Sequence, residues 1–388
     1  MSWPIKALFE VCDIQMGSAP KGETYVELSK GVPLIAGAAD YGEVFPLPKK
    51  ATTSPTKLCQ KGDLIICVRA TIGDLNWADK EYCLGRGVAG LRPKEELLPE
   101  YLFYFIKASE KELYKNATGS TFLQINRAII EQIEIPLPPL PIQKQIAAVL
   151  EKADTLRQQS QLMEQELNSL TQSVFLDMFG DPAKNEKGWP IATIGDCCKS
   201  VNYGTSEKAD ESTGDYPVLR MNNITYDGRW NFDSLKYINL DDKGTEKYLA
   251  ESGDLLFNRT NSKELVGKTA VFRENKAMAF AGYLVRARLN ERAVPEYISA
   301  VMNSRYGKQT LLGMCKSIVG MANINAKEFQ KIRIPLPPIA LQEDFQEIIL
   351  SINSKMRDIE VNKKEYKNLF NSLMQRAFKG ELDLKDVA

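Results

Sequence analysis

The chain has 388 residues, of which 44% are hydrophobic and 26% are charged. This is an ordinary globular composition, and the length favours two domains over a single core. Basic and acidic residues balance at 50 each, and histidine is absent, which excludes a globally basic nucleic-acid-binding surface, a Ser-His-Asp triad and any zinc site with a histidine ligand.

The seven cysteines are odd in number and show no C-x-x-C spacing. We expect them to be free, buried thiols in a reducing cytoplasm, with no metal bound. No apolar run reaches the roughly 18 residues needed to cross a membrane, and no basic segment followed by an apolar stretch opens the chain. The sequence therefore predicts a cytoplasmic protein with no membrane contact.

Two similar units follow one another along the chain. The first opens on Trp3-Pro4-Ile5 and the second on Trp189-Pro190-Ile191. Later in each unit, Pro99-Glu100-Tyr101 or Pro295-Glu296-Tyr297 predicts an amphipathic helix, with proline at its first position and an acidic residue in its first turn. The intervening strand and turn signals predict β-rich units that share a scaffold and differ in their loops.

An arginine follows a predicted core strand in both units. Gly62-Asp63 and Gly253-Asp254 each predict a turn that leads into a short apolar strand. Arg69 comes close behind the first strand, and Arg259 behind the second. We interpret the Gly-Asp pairs as turns that fix the strands.

Each unit ends in a proline-rich segment and a long periodic pattern. Ile135-Pro136-Leu137-Pro138-Pro139 recurs at residues 334–338 and forces an extended backbone before each helix. A four-three alternation of apolar or small residues then predicts two helices with coiled-coil seams. The seam positions are Ile142, Ile146, Val149, Ala153, Leu156, Ser160, Met163, Leu167, Leu170 and Val174 in the first helix, and Leu341, Phe345, Ile348, Ile352, Met356, Ile359, Tyr366, Phe370, Leu373 and Ala377 in the second.

We predict an α+β fold with two similar domains of mixed, β-rich structure. Two long antiparallel coiled-coil helices separate the domains in a pseudo-two-fold, circular arrangement. The predicted boundaries are 1–136 for the first domain, 137–181 for the first helix, 182–335 for the second domain, 336–382 for the second helix and 383–388 for a C-terminal tail.

Signatures of an enzyme are missing or incomplete. Gly267-Lys268-Thr269 resembles the end of a phosphate-binding loop, but Ser262 stands where that loop needs glycine. No G-x-G-x-x-G follows a strand, and no Asn/Asp-Pro-Pro-aromatic segment of an amino-methyltransferase is present. The sequence therefore predicts no catalytic residues.

The remaining polar side chains suit DNA recognition. Arginine bonds guanine bidentately, asparagine and glutamine do the same with adenine, and lysine, serine and threonine hold phosphates. The predicted DNA-binding residues are Arg69, Thr71, Lys49, Lys50, Ser120, Thr121, Gln124, Asn126, Arg220, Asn222, Asn223, Arg259, Asn261, Lys263, Asn323 and Asn325. A wider set adds Thr52, Thr53, Arg86, Arg229, Asn258 and Ser262. Arg69 and Arg259 are the strongest candidates because both units keep an arginine directly after a core strand. The alternative is that most of the others are ordinary polar loop residues.

Together these features resemble the specificity (S) subunit of type I restriction-modification systems. The resemblance covers residues 3–382 and rests on the repeated Pro-Leu-Pro-Pro-x-x-x-Gln pattern, the Gly-Asp strands and the Trp-Pro starts. It implies two target recognition domains that each read one half of a bipartite double-stranded DNA target. It also implies that the helices set the gap and dock two methyltransferase (M) subunits, with Gln143, Ile146, Gln342 and Phe345 as partner-binding residues. Lys355 and Lys363 depart from the pattern by interrupting the second seam.

The resemblance further implies that this chain has no catalysis or cofactor of its own. S-adenosylmethionine belongs to the M subunits, which methylate adenine N6, and ATP and Mg²⁺ belong to restriction (R) subunits where a nuclease is present. A ~60 Å helix spans at most about 17 base pairs of DNA. Two alternatives stay open, namely a stand-alone DNA-modifying enzyme and a coiled-coil adaptor that binds no nucleic acid.

Overall fold

The structure, a computed structural model, describes residues 3–119, 123–318 and 321–384. These residues form two compact units. Unit 1 contains the residues up to Gln161 and those from Val361 onward, and unit 2 contains Leu162–Glu360. The border crosses both long helices, so this division differs from the sequence-based boundaries. The reason is that the ends of the helices pack into the cores of the β-rich domains.

Unit 1 is built mainly of strands. These are β1 (Ile5–Ala7), β2 (Cys12–Met16), β3 (Tyr25–Val26), β4 (Val32–Ile35), β5 (Lys50–Thr52), β6 (Leu58–Cys59), β7 (Leu64–Cys67), β8 (Leu75–Trp77), β9 (Tyr82–Leu84), β10 (Val88–Pro93) and β11 (Glu134–Pro136). Its helices are α1 (Leu8–Val11), α2 (Pro99–Ala108), α3 (Glu110–Asn116), α4 (Arg127–Glu131) and α5 (Leu140–Phe179), which continues into unit 2. One antiparallel sheet has the order β2-β10-β7-β8, and a five-stranded sheet has the order β3-β5-β4-β9-β6, with β4 and β9 parallel.

Unit 2 repeats this scaffold. Its strands are β12 (Ile191–Thr193), β13 (Cys198–Tyr203), β14 (Tyr216–Leu219), β15 (Lys236–Ile238), β16 (Leu249–Ala250), β17 (Leu255–Asn258), β18 (Thr260–Asn261), β19 (Thr269–Val271), β20 (Met278–Phe280), β21 (Leu284–Leu289), β22 (Lys316–Ile318), β23 (Met321–Asn323) and β24 (Arg333–Pro335). Its helices are α6 (Asp242–Tyr248), α7 (Pro295–Asn303), α8 (Arg305–Met314), α9 (Ala326–Gln330) and α10 (Ile339–Lys379), which continues into unit 1. The order β13-β21-β17-β19 matches that of the antiparallel sheet in unit 1. The predicted duplication and the mixed α+β class are confirmed.

The Trp-Pro starts and the proline-rich segments meet in each unit, although they are far apart in sequence. β1 pairs antiparallel with β11, and the Leu137 N–H donates to the Pro4 carbonyl at 2.8 Å. β12 pairs in the same way with β24, and the Leu336 N–H donates to the Pro190 carbonyl at 2.8 Å. These two-stranded joints close each domain directly before its long helix begins, and the sequence did not predict them.

The Gly-Asp pairs are turns, as predicted. Gly62 has a φ of 91°, a left-handed conformation that glycine adopts without steric cost. The buried Asp63 carboxylate accepts two hydrogen bonds from the Arg92 guanidinium, both 2.7 Å long. Asp254 accepts the equivalent pair from Arg288, at 2.9 and 3.4 Å. These aspartates therefore tie each core strand to its neighbour.

Both predicted long helices are present. α5 has 40 residues and α10 has 41, so each is ~60 Å long at 1.5 Å per residue. In unit 1 the Arg157 guanidinium of α5 lies 5.5 Å from the centroid of the Phe370 ring of α10. In unit 2 the rings of Phe179 and Phe345 have centroids 5.2 Å apart. In each unit the start of one helix thus lies beside the end of the other, as an antiparallel pair requires.

The predicted seam of α5 is wrong at two positions in the second half of the helix, whereas Leu167 and Val174 pack against the core of unit 2 as predicted. Met163 and Leu170, both assigned to the seam, are 52% and 45% exposed. The packed face passes through the buried Leu150 and the half-buried Arg157 and Glu164. This face carries polar residues in the middle of the helix. The apolar residues there lie one position away from it, so a search for an apolar alternation selects the wrong positions.

The seam of α10 follows the prediction more closely. Ile348 is 39% exposed, whereas its neighbour Ile349 is buried and takes its place. Lys363 is half-buried on the packed face, so it interrupts the seam as predicted. Lys355 is exposed and lies outside that face, so it does not interrupt the seam. In the part of the chain that the structure describes, no helix is long and apolar enough to cross a membrane.

Candidate nucleic-acid interface

The turn after β7 brings together three predicted DNA-binding residues of unit 1. Arg69 and Gln124 form an isolated β-bridge, and the side chains of Arg69, Thr71 and Gln124 are exposed. Ala70 has a φ of 62°, and its N–H donates to the Leu123 carbonyl at 3.3 Å. A left-handed conformation costs a residue with a Cβ roughly 1–2 kcal/mol, and such strain concentrates at functional sites. The turn presents a guanidinium beside an amide, the two groups that read guanine and adenine edges.

Arg259 of unit 2 lies one position before the equivalent of Arg69, because Thr260 pairs with Asn323 as Arg69 pairs with Gln124. Arg259 follows β17, and its carbonyl accepts the Ile324 N–H at 2.9 Å. The guanidinium lies 5.1 Å from the centroid of the Tyr203 ring, a cation–π contact. Its Nε is buried and has no hydrogen-bond partner among the described residues. The buried Nε cannot reach a ligand, so a contact with a phosphate or base acceptor would fall to the two terminal nitrogens of this half-buried guanidinium.

Two other predicted DNA-binding residues lie on the paired strands β18 and β23 of unit 2. Asn323 stands opposite Thr260, whose hydroxyl donates to the Asn323 Oδ1 at 3.5 Å. The Asn261 Oδ1 accepts the N–H of Ser262 at 2.9 Å. Both asparagines are half-buried, so they lie close to Arg259 in the sheet with their amide oxygens already engaged.

Asn126 and Asn325 are the N-cap residues of α4 and α9, a role that was not predicted for them. The Asn126 Oδ1 accepts the N–H of Ile129 at 3.0 Å. The Asn325 Oδ1 accepts the N–H of Glu328 at 3.0 Å, and the Glu328 carboxylate accepts the Asn325 N–H at 3.0 Å, which completes a capping box. Bidentate recognition of adenine needs the amide oxygen as well as the nitrogen. These two asparagines therefore cap α4 and α9 and are poorly suited to reading bases.

The segment after β14 contains one exposed and two engaged candidates. Asn223 is 1% exposed; its Oδ1 accepts the Arg220 N–H and its Nδ2 donates to the Asn231 carbonyl, both at 2.9 Å. The Arg220 Nη2 donates to the Ser234 carbonyl at 2.7 Å. Asn222 is exposed. Asn223 is therefore a structural residue, contrary to the prediction, and Asn222 keeps its amide for a ligand.

The three lysines predicted to contact phosphates lie in the part of the chain that the structure describes. Lys49, Lys50 and Lys263 have exposed side chains, which suits contact with a phosphate backbone. Ser120 and Thr121 lie outside the described residues.

The four predicted partner-binding residues are buried inside the chain. Gln143, Ile146, Gln342 and Phe345 are each 0% exposed. A side chain without exposed surface has no area to offer a partner. The prediction therefore fails for these residues, and the glutamines have a different role.

Each of these glutamines fastens a long helix to a domain. The Gln143 Oε1 accepts the N–H of Leu98, and its Nε2 donates to the carbonyls of Glu96 and Pro138, all at 2.8 Å. Gln342 makes the equivalent bonds in unit 2, to the N–H of Val294 at 3.1 Å and to the carbonyls of Arg292 at 3.1 Å and Pro337 at 2.8 Å. The repeated Pro-Pro-x-x-x-Gln pattern thus encodes a structural joint.

Gly267-Lys268-Thr269 is a structural element of unit 2. Lys268 is 6% exposed, and its Nζ donates to the carbonyls of Met221, at 2.8 Å, and Ile224. Burial lowers the pKa of this ammonium group. An ammonium held by two carbonyls inside the domain is not available to a phosphate, in agreement with the rejection of a phosphate-binding loop.

All seven cysteines are free, and five of them are buried, as predicted. Burial raises the pKa of the Cys12 and Cys198 thiols to about 12. Because the thiolate is the reactive form, such thiols are inert at neutral pH. Within residues 3–119, 123–318 and 321–384, no group of histidine, cysteine or carboxylate side chains is arranged to hold a metal ion.

The fold and the site define a class of protein with two similar β-rich units, each with an arginine close behind a central strand and each fastened to the long helices. The model of the family "Type I restriction modification DNA specificity domain" matches residues 2–172 and 186–371. The chain belongs to this family.

Two relatives of this chain are described as specificity subunits of type I restriction enzymes. A putative type I restriction enzyme MjaX specificity subunit from Methanocaldococcus jannaschii is 36% identical over 144 residues, which are 37% of this chain and 34% of that protein. The type I restriction enzyme EcoKI specificity subunit from Escherichia coli (strain K12) is 26% identical over 317 residues, which are 75% of this chain and 67% of that protein. The chain thus matches about a third of the length of the first relative and two thirds of the second.

Solved structures share the fold. The crystal structure of the type I restriction-modification S subunit from M. genitalium gives a TM-score of 0.66 at 15% identity, covering 97% of this chain and 96% of that one. A chain from a structure of the type I R-M system, described as the basis of its complex assembly and conformational transition, gives a TM-score of 0.53 at 19% identity, covering 98% of each chain.

Proposed function

We propose that this chain gives sequence specificity to a type I restriction-modification complex. Residues 1–136 and 182–335 act as target recognition domains, and each reads one half of a bipartite double-stranded DNA target. The observation that carries this proposal is the duplicated site. In each unit an arginine follows a central strand close to a backbone pair that includes an amide side chain: Arg69 itself pairs with Gln124, and Thr260, the residue after Arg259, pairs with Asn323.

The two kinds of DNA contact have different consequences in this proposal. Arg69 and Arg259 contact base edges, where a good bidentate pair discriminates against the wrong base by roughly 1–3 kcal/mol. The exposed Lys49, Lys50 and Lys263 contact phosphates, which add affinity without sequence information and make binding depend on salt.

The long helices, residues 137–181 and 336–382, set the gap between the half-sites and dock two M subunits. Large apolar side chains are exposed on both helices, including Met163 and Leu170 on α5 and Val361 on α10. Exposed apolar side chains mark interaction surfaces when they cluster. They replace the buried glutamines as the candidate contacts for a partner.

The chain itself performs no catalysis in this proposal. The M subunits bind S-adenosylmethionine and methylate adenine, and R subunits, in a complex that cleaves DNA, bind ATP and Mg²⁺. The seven free cysteines suit a reducing compartment such as the cytoplasm.

Duplex binding by the purified chain with its methyltransferase tests the proposal. We expect one split sequence to bind at least about 10³-fold more tightly than unrelated DNA, with an affinity that falls steeply as salt rises. Methyl transfer or cleavage by the chain alone, given a labelled methyl donor and Mg²⁺, would favour the enzyme alternative. Binding without sequence preference or salt dependence would favour the adaptor alternative.

A further inference from the structure

A short hairpin in unit 2 follows the Arg220–Asn223 segment directly. Ile224 pairs with Trp230, and the N–H of Gly228 donates to the Thr225 carbonyl at 3.2 Å to close the turn. We call residues 224–230 the 224–230 hairpin. The Asn223 Nδ2, which donates to the Asn231 carbonyl at 2.9 Å, fixes its base. Any movement of this hairpin therefore moves the neighbouring candidate contacts to DNA.

Two lysines of the scaffold hold the backbone of this region. Lys268 donates to the carbonyls of Met221 and Ile224. Lys308 of α8 donates to the Tyr226 carbonyl at 3.0 Å, and its ammonium lies 4.3 Å from the centroid of the Tyr226 ring. The hairpin is thus clamped at its base and near its tip.

The tip of the hairpin lies flush against the scaffold. A Cβ added to Gly228 would lie 2.2 Å from the Asn303 Nδ2 and 2.5 Å from the Thr269 carbonyl oxygen. The φ of Gly228 is also positive, at 83°. A close approach and a left-handed backbone both require glycine here, so the hairpin is seated in one position.

Arg229 joins the hairpin to both long helices. Its Nη1 donates to the Glu360 carboxylate of α10 at 2.9 Å. Its Nη2 donates to the Glu164 carboxylate of α5 at 3.4 Å and to the Asp227 carboxylate at 3.0 Å. The guanidinium is 21% exposed, and its planar fork holds a fixed geometry that a lysine does not reproduce. The sequence predicted Arg229 as a candidate for DNA contact, but its two terminal nitrogens bond these three carboxylates.

We propose that Arg229 is a positioning residue that couples the long helices to base recognition by the second domain. Glu164 and Glu360 hold Arg229, Arg229 holds the hairpin, and the hairpin orients the exposed Asn222 toward its half-site. This inference rests on the proposed function and adds a route by which a partner docked on the helices alters DNA recognition. Loss of the link uncouples the hairpin from the helices although the two lysines still hold its backbone, so its position shifts and discrimination falls while phosphate contacts remain.

The test uses the full chain in complex with its methyltransferase and measures methylation of duplexes with single changes in either half-site. We expect R229Q and E360Q each to lower the preference for the correct second half-site about tenfold, the equivalent of roughly one base contact. Discrimination at the first half-site should not change. K107Q is the matched control, because it breaks an ion pair of 3.0 Å between α2 and Asp154 of α5 that involves no loop.

The outcomes separate positioning from simple destabilisation. A merely structural role lowers the active fraction and leaves the ratio between right and wrong sequences unchanged. Should R229Q prevent folding, E360Q decides the matter, since Glu360 lies on an exposed helix surface. Wild-type discrimination in a folded E360Q complex would overturn the inference. A wild-type complex without preference for any split sequence would contradict the proposed function itself.

Discussion

Replacing Gln143 with methionine tests the joint between helix and domain. The substitution keeps the length of the side chain and removes three hydrogen bonds, to the Leu98 N–H and to two carbonyls, from a side chain that is itself 0% exposed. A buried donor left without its partner costs about 1–3 kcal/mol, and the two carbonyls add to that cost. We therefore expect the free energy of unfolding to fall by about 2–4 kcal/mol.

Unfolding in guanidinium chloride, monitored by far-ultraviolet circular dichroism, measures this change in the free energy of unfolding. Gln161→Met is the matched control, because Gln161 is exposed on the same helix and should shift the free energy of unfolding by less than about 0.5 kcal/mol. Gln342→Met should reproduce the loss in unit 2, since Gln342 makes the equivalent bonds. A loss below about 1 kcal/mol for both variants would refute the joint as a source of stability.

Three further predictions concern the two candidate arginines, the left-handed Ala70 and the half-buried Lys308. Arg69→Ala should relax specificity at one half-site only and Arg259→Ala at the other, measured by mapping methylated adenines; an equal loss across all sequences would mean that both arginines only hold phosphates. Ala70→Gly should leave thermal stability unchanged or raise it by up to about 1 kcal/mol, because relief of the left-handed strain outweighs the entropy of glycine, and a clear loss would contradict that strain. Burial lowers the pKa of Lys308 from 10.5 to about 8, so the unfolded chain binds more protons than the folded chain between these pH values, and the free energy of unfolding rises with pH there. Relative to Lys308→Met, the wild type should gain about 1 kcal/mol between pH 7.5 and pH 9 in urea unfolding. The same pH dependence in both proteins would contradict the lowered pKa.

Local patterns in the sequence predicted the duplicated scaffold and its two long helices. Gly-Asp turns, apolar strands and the four-three alternation act within one element, so residue type and spacing suffice to find them. The position of Arg69 after β7 and of Arg259 after β17 followed from the same local signals. These predictions needed no knowledge of how distant segments pair.

Features that depend on tertiary contacts were missed. The α5 seam was misplaced at Met163 and Leu170 because Arg157 and Glu164 occupy the packed face, where they meet Asp154 and Arg229. Polar residues on a packed face defeat a search for apolar periodicity. The pairing of the Trp-Pro starts with the proline-rich segments is non-local and leaves no short-range signal.

Two misassignments had a signal that was overlooked. Asn325 is followed three residues later by Glu328, which is the pattern of a capping box. Gln143 precedes Ile146 by three residues and Leu150 by seven, which places it on the buried face of α5. Position on a helix, more than chemical type, decides whether a polar side chain is available to a ligand.

The central claim is that one chain carries two independent reading domains. Exchanging residues 1–135 for the corresponding part of another member of the family, and then mapping methylated adenines on genomic DNA, tests it most directly. The account predicts that one block of the methylated sequence changes, while the other block and the gap between them stay the same. A change in both blocks, or in neither, would contradict it.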